Sequence, residues 1–226
     1  MVLGMMTASI LSGRITSKTG RYKWFMISGT AFMTASYFYL STLTYTWEIW
    51  QVAVGMIVLG AGLGQLMQTL SLVAQNSVEA RDIGVATSSA TFFRQMGGTA
   101  GVAVFISILF STLKDKAPEM GKAIAAAIHK NPALMAKPEN AVFKSGQNLG
   151  DMISTDSSFL KHVSPELGNP IKQAFAESAV TVFGTAAIVV AIAFVLTWFV
   201  KEVALRTKSG VEEAAEARAA QAANMH

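Results

Sequence analysis

Long apolar stretches, separated by short polar ones, set the plan of this chain. Almost every position is apolar or small over residues 24–43, 48–76, 84–113 and 170–200. Each stretch reaches the ~20 residues that an α-helix needs to cross a bilayer. Residues 1–13 are also apolar but too short to span, and they have neither a basic leader nor a cleavage site. They read as the second half of a helix, a truncated first span. The pattern predicts an all-α integral membrane protein, an incomplete helix bundle of four full spans after the truncated one. A polar segment at 114–169 and a tail at 201–226 complete it.

Charge gives the bundle an orientation. Arg14, Lys18, Arg21 and Lys23 crowd the polar segment at 13–23, and clustered basic residues beside a span mark the cytoplasmic side. The turn at 44–47 then lies outside, 77–83 inside, 114–169 outside and the tail inside. Trp24, Tyr45, Trp47 and Trp50 suit the two water interfaces. Between Lys114 and Lys172 stand eight lysines and six acids, so that segment is solvated; long loops follow the positive-inside bias weakly. Short helices are expected in it after Pro118, with Met120, Ile124 and Ile128 on one face, and around 142–153. It either caps the outer mouth or is a passive tether. Asn169-Pro170 reads as an N-cap with proline at the first helical position of the last span.

Composition narrows the function. Hydrophobic residues make up 52% of the 226 and charged residues 14%, against ~25% charged in soluble proteins. Without cysteine there is no disulfide framework and no thiolate chemistry. His129, His162 and His226 lack metal-ligand spacing. The net charge of +4 could suggest nucleic acid, but the basic residues fall at span ends, where membrane orientation accounts for them. The G-A-G-L-G run at 60–64 has no Walker lysine and reads as a packing surface. No Ser-His-Asp set or carboxylate pair points to an enzyme, and no cofactor is expected.

The candidate functional residues are polar groups inside apolar spans. Arg94 sits about ten residues into the 84–113 stretch, roughly mid-membrane at ~1.5 Å per residue. An arginine there costs about 2.5–3.5 kcal/mol or more, so it should face a protein interior or a wet cavity. Gln95 is grouped with it. Gln65, Gln68 and Gln75 fall within an arc of about 80° on one helix; they could line a substrate path or bond to neighbouring helices. Glu177 lies towards the outer end of the last span and is a candidate for coupling. Gly60 and Gly64, and likewise Gly97, Gly98 and Gly101, have the spacing that lets a second backbone approach.

The stretch G-V-A-T-S at 84–88 followed by F-F-R-Q-M-G-G-T-A-G at 92–101 resembles a late span of the fourteen-span drug:proton antiporters of the major facilitator superfamily. Two further segments support the resemblance, A-F-A-E-S-A-V-T-V-F at 174–183 and K-E-V-A-L-R at 201–206, together with a general likeness at D-S-S-F-L, 156–160. Gly13, Gly20, Arg21 and Lys23 match that superfamily's cytoplasmic loop signature, and Ser17 stands where the signature has aspartate. Serine can cap a helix but cannot form an ion pair. The resemblance implies a major facilitator fold, in which two helix bundles rock about a midplane site. It implies export of amphipathic, often cationic compounds in exchange for protons across a plasma membrane, a bacterial inner membrane. Its partners would be lipid, a small amphipathic substrate, protons and an absent N-terminal helix bundle. The alternative is a non-transporting membrane remnant or interaction subunit that needs a separate N-terminal half.

Overall fold

The structure is a computed structural model and describes residues 1–137, 140, 143 and 163–200. Its elements are α1 (Val2–Thr19), α2 (Lys23–Leu40), α3 (Ile49–Asn76), α4 (Ile83–Lys130) and α5 (Pro165–Phe199). Two 3-10 turns, Ala80–Asp82 and Pro132–Ala136, stand before and after α4, and there is no strand among the described residues. The all-α expectation holds. Helices α3, α4 and α5 are long and apolar enough to cross a membrane.

The ends of the helices differ from expectation, each for a local reason. Helix α1 does not stop before the basic cluster. It runs through 13–19 and closes at Gly20, whose φ of 69° turns the chain left-handed. The Gly20 N–H donates to the Thr16 carbonyl at 2.8 Å, a glycine C-cap. The predicted loop therefore shrinks to residues 20–22. Helix α2 is 18 residues, about 27 Å, and it carries Ser28, Thr30, Thr34 and Ser36. Like α1, it falls outside the three helices of membrane length and composition.

Helix α3 begins where the Gln51 side chain accepts a bond from the Glu48 N–H at 2.9 Å, half of a capping box. Helix α4 is 48 residues, about 72 Å, and continues through 114–130, where the sequence suggested a break. Pro118 does not end it. Helix α5 starts five residues earlier than predicted, with Pro165 at its first position after Ser164, and Pro170 lies inside it. The proline at the first helical position is thus Pro165 and not Pro170, and the Ser164 hydroxyl before it bonds the Asn140 amide rather than the helix end. The expected helix around 142–153, the 156–160 likeness and the tail at 201–226 fall outside the described residues, Phe143 apart.

The chain forms two compact units. The first comprises Met1–Thr34, Met56–Gly98 and the chain from Val190. Its seams are made by glycine. A Cβ added at Gly4 would run into the Ile57 carbonyl, at Gly60 into the Met1 carbonyl, and at Gly64 into the Met5 carbonyl. So α1 lies backbone to backbone on α3, the close approach that only glycine permits. Gly29 and Gly62 make the matching seam between α2 and α3, where a Cβ at Gly62 would sit 2.6 Å from the Gly29 carbonyl oxygen. Tyr22, Met26 and Leu59 are the large apolar side chains buried in this unit. Lys23 donates to the Trp198 carbonyl at 3.1 Å, at the C-terminal end of α5, where a cation meets the unpaired carbonyls of a helix end.

The second unit comprises Ala35–Gly55 and Thr99–Val189. The α2–α3 hairpin is held by Ser36, whose hydroxyl donates to the Gly55 carbonyl at 2.6 Å, and by the Tyr39–Trp47 ring pair. The far end of α4, the second 3-10 turn and the start of α5 enclose an apolar core of Leu113, Met120, Ile124, Leu134, Leu167 and Ile171. Met120 and Ile124 lie on one buried face and Ile128 packs against it, as the spacing predicted. Asn140, fully buried, ties the core shut: its amide donates to the Leu134 carbonyl at 2.8 Å and to the Ser164 hydroxyl at 2.9 Å.

Candidate functional site: the Arg94 cavity

A cavity of about 420 Å³ opens within the first unit, lined by Met5, Met6, Ser9 and Ile10 of α1, by Gly64, Met67, Gln68 and Ser71 of α3, and by Arg94 of α4. It lies beside the glycine seam, where Gly60 and Gly64 bring α1 against α3, and Gly64 itself forms part of its wall. The walls are mixed in character. Methionines give an adaptable apolar lining, and two hydroxyls, one amide and one guanidinium supply polar groups.

Arg94 is exposed, and its Nη2 lies 3.5 Å from the Thr91 hydroxyl one turn earlier on α4. None of the ion pairs among the described residues involves it. Gln68 is exposed on α3, and its amide also borders Gly13, where an added Cβ would lie 3.5 Å away. These two are the predicted cavity residues that the structure brings together.

The other glutamines part company. Gln65 is buried and accepts a bond from the Ser28 hydroxyl at 2.6 Å, joining α3 to α2. Gln75 donates to the Thr87 hydroxyl at 3.3 Å, joining α3 to α4. Gln95 is exposed beside Arg94 and is not part of the cavity lining. The 80° arc thus faces three neighbours in turn, and only Gln68 faces the cavity.

The predicted motif residues of the basic segment also have definite places. Ser17 caps no helix start; it is inside α1 and its hydroxyl donates to the Gly13 carbonyl at 2.8 Å. The reason is the extension of α1 to Thr19, which leaves no helix N-terminus at that position. Arg21 is exposed, with its N–H 3.4 Å from the Thr19 hydroxyl. Gly20 is the cap of α1 and Lys23 the partner of the Trp198 carbonyl.

The remaining candidates, the glycines of α4 and Glu177, also have definite surroundings. Gly97 and Gly98 are expected to receive a second helix; among the described residues an added Cβ there meets nothing within 4 Å, and at Gly101 only the Phe105 ring of the same helix at 4.0 Å. Helix α4 is the least covered of the three membrane-length helices: 6% of its apolar window is buried, against 28% for α3. Glu177 was a candidate for coupling. In the second unit its carboxylate forms an ion pair with Lys116 and accepts a bond from Gln173 at 2.9 Å. With these it lines a smaller cavity of about 180 Å³ beside Glu119 and Pro170. Lys116 escaped the sequence reading because the helix was taken to end at residue 113. Ser28 escaped it because nothing in a single sequence says which glutamine meets which hydroxyl.

No family model matches the chain, and no solved structure matches it. Several known proteins do. The chain is 33% identical to an MFS-type transporter of Mycobacterium tuberculosis over 91% of its own length and 26% of that protein's. It is 27% identical to a tetracycline resistance determinant of Streptomyces rimosus over 96% of its length and 64% of that protein's. It is 28% identical to the multidrug transporter protein MdtP of Bacillus subtilis over 98% of its length and 42% of that protein's. The chain thus spans about a quarter of the mycobacterial relative. The similarity covers more than nine tenths of the chain and does not stop at the arginine motif, so this multi-pass, all-α membrane chain is similar over nearly its whole length to part of the transporters of the major facilitator superfamily.

Proposed function

We propose that these helices are part of a secondary active transporter of the fourteen-span drug:proton antiporter family, exporting amphipathic compounds across a bacterial inner membrane in exchange for protons. The observation that supports this reading is the convergence of Arg94 and Gln68 on one cavity between α1, α3 and α4. An arginine in an apolar span is costly and is retained where it meets a cavity or pathway, and a binding site of mixed lining suits amphipathic ligands. Alternating access requires a second bundle moving about a shared site. The bare glycines at 97 and 98 offer a face on which such a bundle can seat. The same bare face also favours a second reading, in which the chain is a non-transporting subunit or remnant that only binds a separate N-terminal half.

The test is dye efflux from cells stripped of their own exporters. Three arms are compared: the chain alone, the chain co-expressed with the N-terminal half of a related transporter, and an empty vector. Efflux that needs both halves and collapses with an uncoupler supports the transporter. Assembly of the two halves without efflux supports the subunit. Proton-dependent efflux by the chain alone, at the paired rate, overturns the need for a second bundle.

A further inference from the structure

We infer that the Arg94 cavity takes an amphiphile with an anionic head, a carboxylate, sulfonate or phosphate ester, and not a cation. The inference rests on the reading of this cavity as a ligand site. Among the described residues the lining carries one formal charge, the Arg94 guanidinium, and no aspartate or glutamate. The other polar groups are Ser9, Ser71 and Gln68; the Ser71 hydroxyl already donates to the Met67 carbonyl at 3.0 Å, and the Gln68 amide can donate to an anion or accept from a cation. They leave the charge preference to the arginine. Among the described residues no carboxylate forms an ion pair with it.

A guanidinium presents a planar fork that matches two oxygens of one anionic group. Arg94 has only a long contact to Thr91 to give up. In the low dielectric of a span, an unneutralised positive charge strongly repels a second one. The apolar body of the ligand has its own place: Met5, Met6, Met67 and Ile10 form the rest of the wall, and thioethers adapt to irregular shapes. Head and tail recognition are therefore separable in this cavity.

The ligand could be a soluble compound or an anionic phospholipid, which share this chemistry; the geometry of a small side cavity commits the proposal to the soluble one. The test uses the full chain in nanodiscs of zwitterionic lipid. Two probes share one ring system, anilinonaphthalene sulfonate and its trimethylammonium counterpart. The sulfonate should bind at least about tenfold tighter, the scale of one charge-assisted hydrogen-bonded contact. Arg94→Gln should abolish that preference, and Arg94→Lys should keep part of it, because lysine retains the charge without the fork. Met67→Trp, which fills the cavity, should weaken both probes.

If the ammonium probe binds as well as the sulfonate and Met67→Trp still blocks both, the cavity is a ligand site and the anion preference is wrong. If Met67→Trp changes neither probe, the ligand-site reading itself fails. If added anionic phospholipid displaces the sulfonate in an Arg94-dependent way, the occupant is bilayer lipid and the soluble ligand is overturned.

Discussion

Gln65 and Gln68 stand three residues apart on α3 and do different work. Gln65 is a buried strut to Ser28, whereas Gln68 faces the cavity with Arg94. Replacing Ser28 by alanine leaves a buried amide oxygen without its donor. The bond between the two residues should appear as a coupling of about 0.6–1.7 kcal/mol, the range for polar pairs in membrane helices. The measurement is a double-mutant cycle of Ser28→Ala and Gln65→Leu by unfolding titration in mixed micelles. Strict additivity would show that the two side chains do not support each other. The sequence revealed that one face of α3 was polar, because helical periodicity alone places the three glutamines together. It could not divide them, because an arc of that width meets more than one neighbour. Arg94 was legible as a candidate for a thermodynamic reason that needs no structure: its cost inside an apolar span. The pairing of Glu177 with Lys116 was not legible, since it depends on a helix continuing past residue 113.

At the scale of the elements, the glycines divide into occupied and vacant positions. Gly60 and Gly64 carry the backbone of α1, and among the described residues nothing lies on Gly97 and Gly98. Gly64→Ala or Gly60→Ala should therefore force α1 away at a cost of about 1–3 kcal/mol, as overpacking does. Gly97→Ala should do the opposite in the chain by itself, gaining up to about 1 kcal/mol from helix propensity, while weakening assembly with an N-terminal half. Unfolding titration of each variant, with co-purification of the two halves, decides both. If Gly97→Ala leaves assembly intact, the bare face is ordinary lipid-facing surface. Spacing alone could not separate these pairs, because Gly60/Gly64 and Gly97/Gly101 present the same interval in sequence. Helix existence was read well from apolar length, and helix ends were read poorly. In α1 the basic cluster looked like a loop, although nothing in Arg14 or Lys18 stops a helix; the stop comes only at Gly20.

For the whole molecule, the charge pattern sets a topology that can be tested directly. Lys18 and Lys130 are both exposed, and the positive-inside bias puts the first inside and the segment bearing the second outside. Since the chain has no cysteine of its own, Lys130→Cys should react with an impermeant maleimide on intact cells and Lys18→Cys only after permeabilisation. The reverse pattern would invert the model. The contact between α1 and α3 has a mechanical consequence. Helices that interlock through large side chains move past one another in steps, because each knob must leave its hole. At Gly4, Gly60 and Gly64 the opposing surfaces are main chain on both sides, with no knob to lift. Such a joint resists separation but offers little friction to sliding along the helix axis. One wall of the Arg94 cavity can then shift against another by small translations, so the cavity can change shape without α1 letting go of α3.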